Sequence, residues 1–277
     1  MQFRPLGRTP ESIPIVGLGT WGIVGETGPD SSRDEAGIQA LRLGMDLEMK
    51  FIDTAEMYGA GHSEEVVARA LEGRRDSVFV ASKVSPRNFE YDDVLDAAKR
   101  SLKRLGLKQM DLYQLHWPSS KIPISETMKA MEKLVRDGLT RYIGVSNFSV
   151  EQMKEAQQSL SHEKIVSNQV EFSLIDRSVE ARILPYCQRE GLTLIAYTPL
   201  GQGKISRGRG SSFKILDEIA GESGKSRNQV ALGWVLQHDS VVAIPKATDP
   251  EHLKENAKVA DWKIANEDYQ RLAKAFS

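Results

Sequence analysis

The chain has 277 residues, of which 40% are hydrophobic and 27% are charged, the balance of an ordinary globular protein. Its 37 lysines and arginines nearly balance 38 aspartates and glutamates. The resulting net charge of -1 argues against a nucleic-acid scaffold or a protein that binds anionic membranes.

The single cysteine, Cys187, excludes an internal disulfide framework and a zinc site built from several cysteines. No apolar run approaches the ~20 residues that a membrane helix needs, and the first residues lack the apolar segment of a secretory signal. The five histidines are scattered, so no metal site is expected. We expect a cytoplasmic protein with a single domain over residues 1–277 and neither a nucleic-acid nor a membrane partner.

Short apolar runs alternate along the chain with longer amphipathic stretches. The runs occupy residues 15–18, 51–53, 78–81, 111–115, 141–145, 165–170, 192–197 and 241–244. Between them, stripes such as Val66, Val67, Ala70 and Leu71 have helical spacing. Alternation of this kind predicts parallel βαβ units, and eight units in 277 residues match the size of a (β/α)8 TIM barrel.

Capping residues agree with this pattern. Helices are predicted to start near Ser63, Asp92 and Ser149. They are predicted to stop at Gly73, Gly106, Gly138 and Gly191.

A doubly wound open sheet uses the same alternation of strands and helices. Against it, the glycine-rich stretch 17–22 after the first run lacks the Gly-x-Gly-x-x-Gly fingerprint of a dinucleotide-binding turn. Gly28 and Pro29 follow that stretch, so it does not open a helix. Residues 3–14 contain several prolines and a glycine, and we expect them to form an N-terminal β-hairpin that caps the barrel floor.

Three titratable residues follow neighbouring predicted strands. Asp53 ends the second run, Lys83 follows the third, and His116 follows the fourth. Each alone is explained by a helix cap, a solvated charge or a packed ring. Polar residues at the carboxyl ends of barrel strands meet at one rim, where the active sites of such barrels lie. Their convergence predicts a catalytic cluster.

Tyr58 lies in a glycine-flanked loop just after Asp53. A phenol is a poor acid near neutral pH, and we expect the Lys83 ammonium to lower its pKa. Asp53 would fix Lys83 by ion pairing, and His116 could hydrogen-bond a developing oxyanion. The arrangement predicts protonation of a carbonyl oxygen while its carbon is attacked.

Residues 199–210 form an unusually glycine-rich stretch after the seventh run, and residues 202–216 contain no acidic side chain. One interpretation is a solvated, flexible surface loop. The other is a loop that binds an anion, because barrels commonly hold phosphate with the loops after strands seven and eight.

Seven motifs in order resemble the aldo-keto reductase superfamily over the whole chain. They are Gly-Leu-Gly-Thr-Trp at 17–21, Asp-Thr-Ala-Glu-x-Tyr-Gly at 53–59, Ser-Lys at 82–83, His-Trp-Pro at 116–118, Ile-Gly-Val-Ser-Asn-Phe at 143–148, Asn-Gln at 168–169 and Ile-Pro-Lys at 244–246. Each is weak alone, but their order and their positions at strand ends make the resemblance strong.

The resemblance implies that Asp53, Tyr58, Lys83 and His116 form a catalytic tetrad, with Tyr58 as the general acid. It also implies residues that contact a nicotinamide cofactor. These are Thr20, Trp21, Asp53, Ser146, Asn147, Gln169, Tyr197, Thr198, Pro199, Leu200, Gly201, Lys204, Lys246, Thr248, His252, Glu255 and Asn256. Of these, Tyr197 would stack on the nicotinamide ring, and Lys204 would reach the pyrophosphate.

Lys246 would pair with a 2′-phosphate, so the resemblance implies NADP(H), with NAD(H) as the alternative. Two departures weaken this preference. Ala247 replaces the family's serine or threonine, and His252 replaces an arginine, which is the stronger phosphate partner.

Trp21, Tyr58, His116 and Trp117 would line an open, aromatic substrate pocket. The expected reaction is reversible NADPH-dependent reduction of small-molecule aldehydes or ketones to alcohols, by a monomer. Two alternatives stay open: a cofactor-bound regulatory or sensor subunit with little turnover, and a barrel lyase or isomerase that uses Lys83 as a Schiff base.

Overall fold

Ten strands form two sheets in the computed structural model, which describes residues 1–25 and 28–277. β1 (Phe3–Pro5) and β2 (Ser12–Pro14) pair antiparallel as a hairpin. The remaining strands form one parallel sheet in which the spatial order follows the chain order. These strands are β3 (Leu18–Gly19), β4 (Phe51–Asp53), β5 (Phe79–Val84), β6 (Met110–Leu115), β7 (Thr140–Ser146), β8 (Ile165–Glu171), β9 (Thr193–Tyr197) and β10 (Val241–Ala243).

Helices follow the strands of the large sheet and cover its outer face. They are α1 (Asp34–Asp46), α2 (His62–Leu71), α3 (Tyr91–Leu105), α4 (Ile124–Arg136), α5 (Val150–Gln158), α6 (Ile183–Glu190), α7 (Lys204–Arg207), α8 (Ser211–Ser223), α9 (Arg227–Leu236), α10 (Pro250–Lys258) and α11 (Asn266–Ala275). Short 3-10 turns connect several of these elements. No helix in the described part of the chain is both long and apolar enough to cross a membrane.

The sheet closes on itself between β10 and the segment that enters β3. Val16 pairs with Ala243, and the Gly17 amide donates to the Ala243 carbonyl at 2.8 Å. Gly19 makes this seam possible, since a Cβ there would lie 2.5 Å from the Ile244 carbonyl oxygen. The closed, eight-stranded parallel sheet with outer helices confirms the predicted (β/α)8 barrel, and glycines 17 and 19 serve close packing rather than a phosphate loop.

The helix boundaries agree with most of the predicted caps. Ser149 and Gln152 form a reciprocal capping box at the start of α5, and Gly106 ends α3 in a left-handed conformation. The prediction that Ser63 caps α2 is wrong. The helix begins at His62 with Gly61 as its N-cap, because Ser63 turns inward to hydrogen-bond the Thr20 hydroxyl at 2.9 Å.

The barrel interior holds its own small apolar core. Phe51, Phe79 and Leu112 belong to it, together with Leu6 and Ile13 from the hairpin segment, both fully buried. The Arg4 side chain of β1 donates to the His238 carbonyl at 2.9 Å. The hairpin therefore closes the amino-terminal end of the barrel as predicted, and the opposite rim is left for chemistry.

Candidate active site

The strand ends place the four residues of the predicted tetrad at one rim. Asp53 is the last residue of β4, Lys83 is the last but one of β5, and His116 directly follows β6. Tyr58 begins the tyrosine loop, Tyr58–Gly61, between β4 and α2. Parallel strands carry the first three side chains to the same height, and the tyrosine loop folds back over them.

Lys83 is the centre of the cluster and is completely buried. Its Nζ donates to Asp53 Oδ1 at 2.5 Å, to the Thr54 carbonyl at 3.0 Å and to the Tyr58 hydroxyl at 3.1 Å. These three bonds use all three N–H donors of an ammonium group. Burial disfavours the charge, but the Asp53 carboxylate and Tyr58 outweigh it, so the Lys83 pKa is raised and the side chain stays cationic.

Asp53 is the counter-ion and is itself buried. Its second oxygen, Oδ2, accepts from Gln169 Nε2 at 2.7 Å and from Gln114 Nε2 at 3.5 Å. Gln114 in turn accepts a hydrogen bond from the Ser167 hydroxyl at 3.1 Å. Buried charges are stable when they are paired and fully hydrogen-bonded, and these amides complete the carboxylate's partners.

Tyr58 has a pKa above its ordinary value because burial disfavours the phenolate. The Lys83 ammonium acts in the opposite direction, as expected, but recovers only part of this rise. The prediction of a net lowered pKa is therefore wrong for the cofactor-free protein. At neutral pH the Tyr58 phenol carries its proton, which is the form that a general acid requires.

His116 is neutral at physiological pH. Burial, with a smaller contribution from the Lys83 charge, lowers its pKa to about 3. Its ring packs edge-on against Tyr58 at 5.6 Å and lies 4.6 Å from the Trp117 ring, measured between centroids. A neutral imidazole can donate one hydrogen bond to a carbonyl oxygen without adding a second full positive charge beside Lys83.

A second group of predicted residues is already bonded together. Ser146 donates to the Gln169 carbonyl at 2.8 Å, and Asn147 Nδ2 donates to the His116 carbonyl at 3.0 Å. The Tyr197 hydroxyl donates to Asn147 Oδ1 at 3.0 Å. Asn147 has a left-handed backbone with φ 61°, so its side chain turns back across the strand ends. These contacts fix the wall next to the tetrad.

A cleft of about 820 Å³, here called the rim cleft, runs across this rim. Its size is in the range of a small-molecule or cofactor site. Most of the predicted site residues line it: Thr20, Trp21, Asp53, Tyr58, His116, Trp117, Ser146, Asn147, Gln169, Tyr197, Thr198, Pro199, Leu200, Lys246, His252, Glu255 and Asn256.

Three residues predicted to contact the cofactor do not line the rim cleft: Gly201, Lys204 and Thr248. The chain after β9 is also more ordered than a flexible loop, because it contains a 3-10 turn at Gly201–Gly203 and then α7. That turn buries Gly201, and the Lys204 charge acts on Glu171 instead. The cleft is lined here by Gln202 and Gly203 of the turn and by Ser206 of α7.

Sequence reasoning missed several residues of the site. Arg33, Glu171 and Asn228 line the rim cleft, and Gln114 lies behind Asp53. Gln114 had a signal, because it is a polar residue inside an apolar strand two positions before His116. Asn228 had none, because it lies early in α9, which only the fold brings to this rim.

The far end of the rim cleft has a different chemistry. Lys246 and His252 are exposed there, and among the described residues Lys246 forms no ion pair. Asn228 Oδ1 is buried and has no hydrogen-bond partner within residues 1–25 and 28–277. An unpaired cation suits a phosphate, and an unsatisfied amide oxygen suits the amino group of a base, so this donor set fits a dinucleotide.

A family model matches nearly the whole chain. The model of the aldo/keto reductase family covers residues 15–276. The chain belongs to this family.

Relatives of the family match along their length. The chain is 39% identical to methylglyoxal reductase of Escherichia coli (strain K12) over 265 residues, covering 96% of this chain and 92% of the relative. A thermostable aldo-keto reductase solved with the inhibitor epalrestat is 43% identical, with a TM-score of 0.93 and coverage of 99% and 100%. An aldo-keto reductase from Klebsiella pneumoniae in complex with NADPH is 36% identical, with a TM-score of 0.88 and coverage of 96% and 92%.

These matches confirm the family resemblance read from the seven motifs. They also show that the chain is an enzyme of the aldo-keto reductase type.

Proposed function

We propose that this enzyme reduces aldehydes and ketones to alcohols with NADPH, and that Tyr58 donates the proton to the carbonyl oxygen. The observation that carries the proposal is the Lys83 ammonium 3.1 Å from the Tyr58 hydroxyl, at the wall of the rim cleft. A protonated phenol beside a buried cation is an acid whose conjugate base is stabilised where it forms.

The proton transfer follows from these contacts. A carbonyl oxygen bound between Tyr58 and His116 would accept a hydrogen bond from each. As charge develops on that oxygen, the Tyr58 proton moves to it, and the resulting phenolate is stabilised by Lys83. Asp53 keeps Lys83 charged throughout, and two amides hold Asp53 in place. General acid catalysis of this kind contributes roughly 10²–10⁴ in rate.

The donor set of the rim cleft supports NADP(H) as the cofactor. Bound there, the reduced nicotinamide would supply the hydride that the carbonyl carbon accepts. Lys246 and His252 would hold the 2′-phosphate, and Asn228, Glu255 and Asn256 would surround the adenine. The related enzyme from Klebsiella pneumoniae was solved with NADPH. Since His252 is a weaker phosphate partner than arginine, we expect a modest preference over NAD(H).

The nicotinamide end would be formed by the residues nearest the tetrad. Tyr197 would stack on the ring, while Ser146 and Asn147 would meet the carboxamide. Gln169 would share this role through its amide oxygen or its second Nε2 hydrogen, because one of the two Nε2 hydrogens is already donated to Asp53.

The substrate end is open and aromatic. Trp21 and Trp117 flank the rim cleft and are 43% and 38% exposed, far more than core tryptophans. We propose small aldehydes as substrates, including 2-oxoaldehydes, because the Escherichia coli relative is a methylglyoxal reductase. A monomeric state, a cytoplasmic location and a single domain over residues 1–277 stay predictions.

The Schiff-base alternative requires a lysine with a free amine that a substrate can reach. Lys83 is fully buried and donates three hydrogen bonds, so it fits a supporting role instead. No contact in the described residues favours the sensor alternative over turnover, since the tetrad is complete.

Turnover of Tyr58→Phe tests the proposal directly. Wild type and variant would be mixed with NADPH and methylglyoxal, or with an activated aromatic aldehyde, and loss of reduced cofactor followed by absorbance. We expect kcat to fall by roughly 10²–10⁴ because the proton donor is gone. The Kd for NADPH, measured by quenching of tryptophan fluorescence, should stay within about twofold, since only one hydroxyl is removed.

Tyr186→Phe is the matched control, because it removes a phenol from α6, far from the rim cleft, and should retain full turnover. Equal turnover of wild type and Tyr58→Phe would reject Tyr58 as the acid. Cofactor binding without turnover by wild type would favour the sensor alternative.

A further inference from the structure

The tyrosine loop has a backbone that a free peptide would avoid. Gly59, Ala60 and Gly61 have successive φ angles of 56°, 55° and 97°, all in the left-handed region. Ala60 is not a glycine, and for such a residue this conformation costs about 1–2 kcal/mol. Conformations of this kind persist only where the surrounding structure fixes them, so contacts around the loop must stabilise it.

Arg104 of α3 supports the loop from below. A Cβ on Gly61 would lie only 2.8 Å from both Cδ and Nε of Arg104, so the arginine side chain lies directly against the loop backbone. Its Nη2 also donates to the Ser101 hydroxyl at 3.2 Å. The Arg104 side chain is therefore one of the supports of the loop backbone.

Glu64 fixes it. This carboxylate is completely buried, and its Oε2 accepts from Arg104 Nε at 2.6 Å. Its Oε1 accepts from the Ser82 hydroxyl, also at 2.6 Å. Ser82 directly precedes Lys83 on β5. One carboxylate thus connects α2, which follows the loop, to α3, which supports it, and to the strand that carries the lysine.

The Glu64–Arg104 pair lies outside the rim cleft and would not contact a substrate bound there. Neither residue lines the cleft, and neither hydrogen-bonds any of the four tetrad side chains. A buried ion pair is a weak source of stability, because desolvation offsets much of the attraction. Its geometry does connect α2 and α3 to β5 directly beside the strained loop.

We propose that Glu64 and Arg104 are positioning residues that hold the tyrosine loop so that the Tyr58 hydroxyl stays within hydrogen-bond distance of Lys83. The proposal rests on the proposed function of Tyr58. Misplacement of a catalytic group by about 1 Å can cost about 10²-fold in rate, so the contact need move only slightly to matter.

The experiment compares Glu64→Gln, Arg104→Met and the double variant with Asp111→Asn. Asp111 is a matched control, because it is also a buried carboxylate in ion pairs, with Arg75 at 2.8 Å and Arg141 at 2.9 Å. It lies at the opposite end of the barrel from the tyrosine loop, near the start of β6. Glu64→Gln and Asp111→Asn each replace a buried carboxylate by an amide, so both should lower the unfolding midpoint in urea.

The expected result separates positioning from stability. In Glu64→Gln and Arg104→Met, kcat should fall by about 10-fold to 100-fold, with the Kd for NADPH within about twofold. The double variant removes both charges, so its unfolding midpoint should recover while its kcat stays low. Arg104→Lys keeps the charge and should regain much of the kcat. Asp111→Asn should keep full kcat.

Two further readouts report the loop itself. In the cofactor-free protein, amides of residues 58–63 should exchange hydrogen faster in Glu64→Gln than in wild type, but not in Asp111→Asn. In alcohol oxidation, the rate should rise with pH as Tyr58 loses its proton. In Glu64→Gln this rise should occur at higher pH. The reason is that Lys83 would lower the Tyr58 pKa less, while Asp53 and His116 remain beside the phenol.

A kcat that follows the unfolding midpoint in all variants, or unchanged exchange in residues 58–63, would overturn the proposal. The exchange measurement needs no turnover, so it decides the positioning proposal even if the reductase proposal fails. If Glu64→Gln does not fold, Arg104→Met, Arg104→Lys and the double variant give the same comparison.

Discussion

The two ends of the rim cleft are built in opposite ways. At the tetrad end, Asp53 and Lys83 are 1% and 0% exposed and hydrogen-bond each other and their neighbours. At the far end, here called the phosphate end after the proposed 2′-phosphate contact, Lys246 and His252 are exposed to solvent. The tetrad end is organised by folding, whereas at the phosphate end the Lys246 ammonium has no ion-pair partner among the described residues.

This difference separates stability from affinity. A change at the tetrad end disturbs a buried ion pair, so it should alter both unfolding and kcat. A change at the phosphate end removes a solvated charge, so it should alter cofactor affinity alone. Changes at Lys83, Lys246 and His116 test this difference.

The largest effect is expected for Lys83→Met. It leaves the Asp53 carboxylate buried without its cation, which should lower the free energy of unfolding by about 3–5 kcal/mol. It also removes the group that stabilises the Tyr58 phenolate, so kcat should fall by roughly 10²–10⁴. Urea unfolding and NADPH oxidation measure the two effects.

Adding Asp53→Asn to Lys83→Met serves as the control, since it removes the orphaned charge. Stability should recover in this double variant, whereas turnover should not. Retained turnover in either variant would contradict the assigned role of Lys83.

Lys246→Met should act on binding alone. Loss of one charge-assisted contact, worth about 1.5–3 kcal/mol, should raise the Kd for NADPH by roughly tenfold or more. The Kd for NADH should stay unchanged, because NADH has no 2′-phosphate. Stability should move by no more than about 0.5 kcal/mol. Fluorescence titration with both cofactors measures this selectivity.

Lys254→Met is the matched control for the phosphate end. Lys254 lies on α10 near His252, pairs with Glu251 at 2.7 Å and does not line the rim cleft. An equal loss of NADPH affinity in this variant would mean that Lys246 acts only through general surface charge.

The smallest effect on stability and turnover near neutral pH is expected from the titration of His116. Burial and, to a smaller extent, the Lys83 charge lower its pKa to about 3, whereas the pKa of a histidine in an unfolded chain is about 6.5. Between these values only the unfolded chain binds the proton, so stability falls as pH falls from about 6.5 toward about 3. The imidazole stays neutral over this range, so turnover should show no acid limb from His116 above about pH 4.

Unfolding in urea across this pH range, for wild type and His116→Gln, checks the prediction. Stability of the variant should fall less steeply below about pH 6. An acid limb of kcat near pH 6 that disappears in His116→Gln would show instead that the folded histidine titrates there.

The strand ends and the positions of Asp53, Lys83 and His116 at one rim could be predicted from the sequence because they follow from local spacing. A polar residue at the end of an apolar run predicts both the strand and its rim. Glu64 and Asn228 could not be found this way, because their neighbours come from distant elements. The sequence around Ser63 predicted a helix cap, whereas in the folded barrel the Ser63 hydroxyl donates a hydrogen bond to the Thr20 hydroxyl.

The net direction of the Tyr58 pKa shift could not be predicted from the sequence for a related reason. The motif shows that a lysine is near, which sets the direction of one contribution. How deeply the phenol is buried depends on the closed rim, and burial decides the net direction.

The hairpin at the barrel floor has a consequence for how the chain is made. Arg4 bonds the carbonyl of a residue 234 positions later, and Leu6 and Ile13 fill the barrel interior. The hairpin is therefore synthesised well before the elements that it packs against. Contacts this distant in sequence form late in folding. Until β10 emerges, both the floor and the seam of the barrel stay open, so the growing chain exposes apolar surface up to that point.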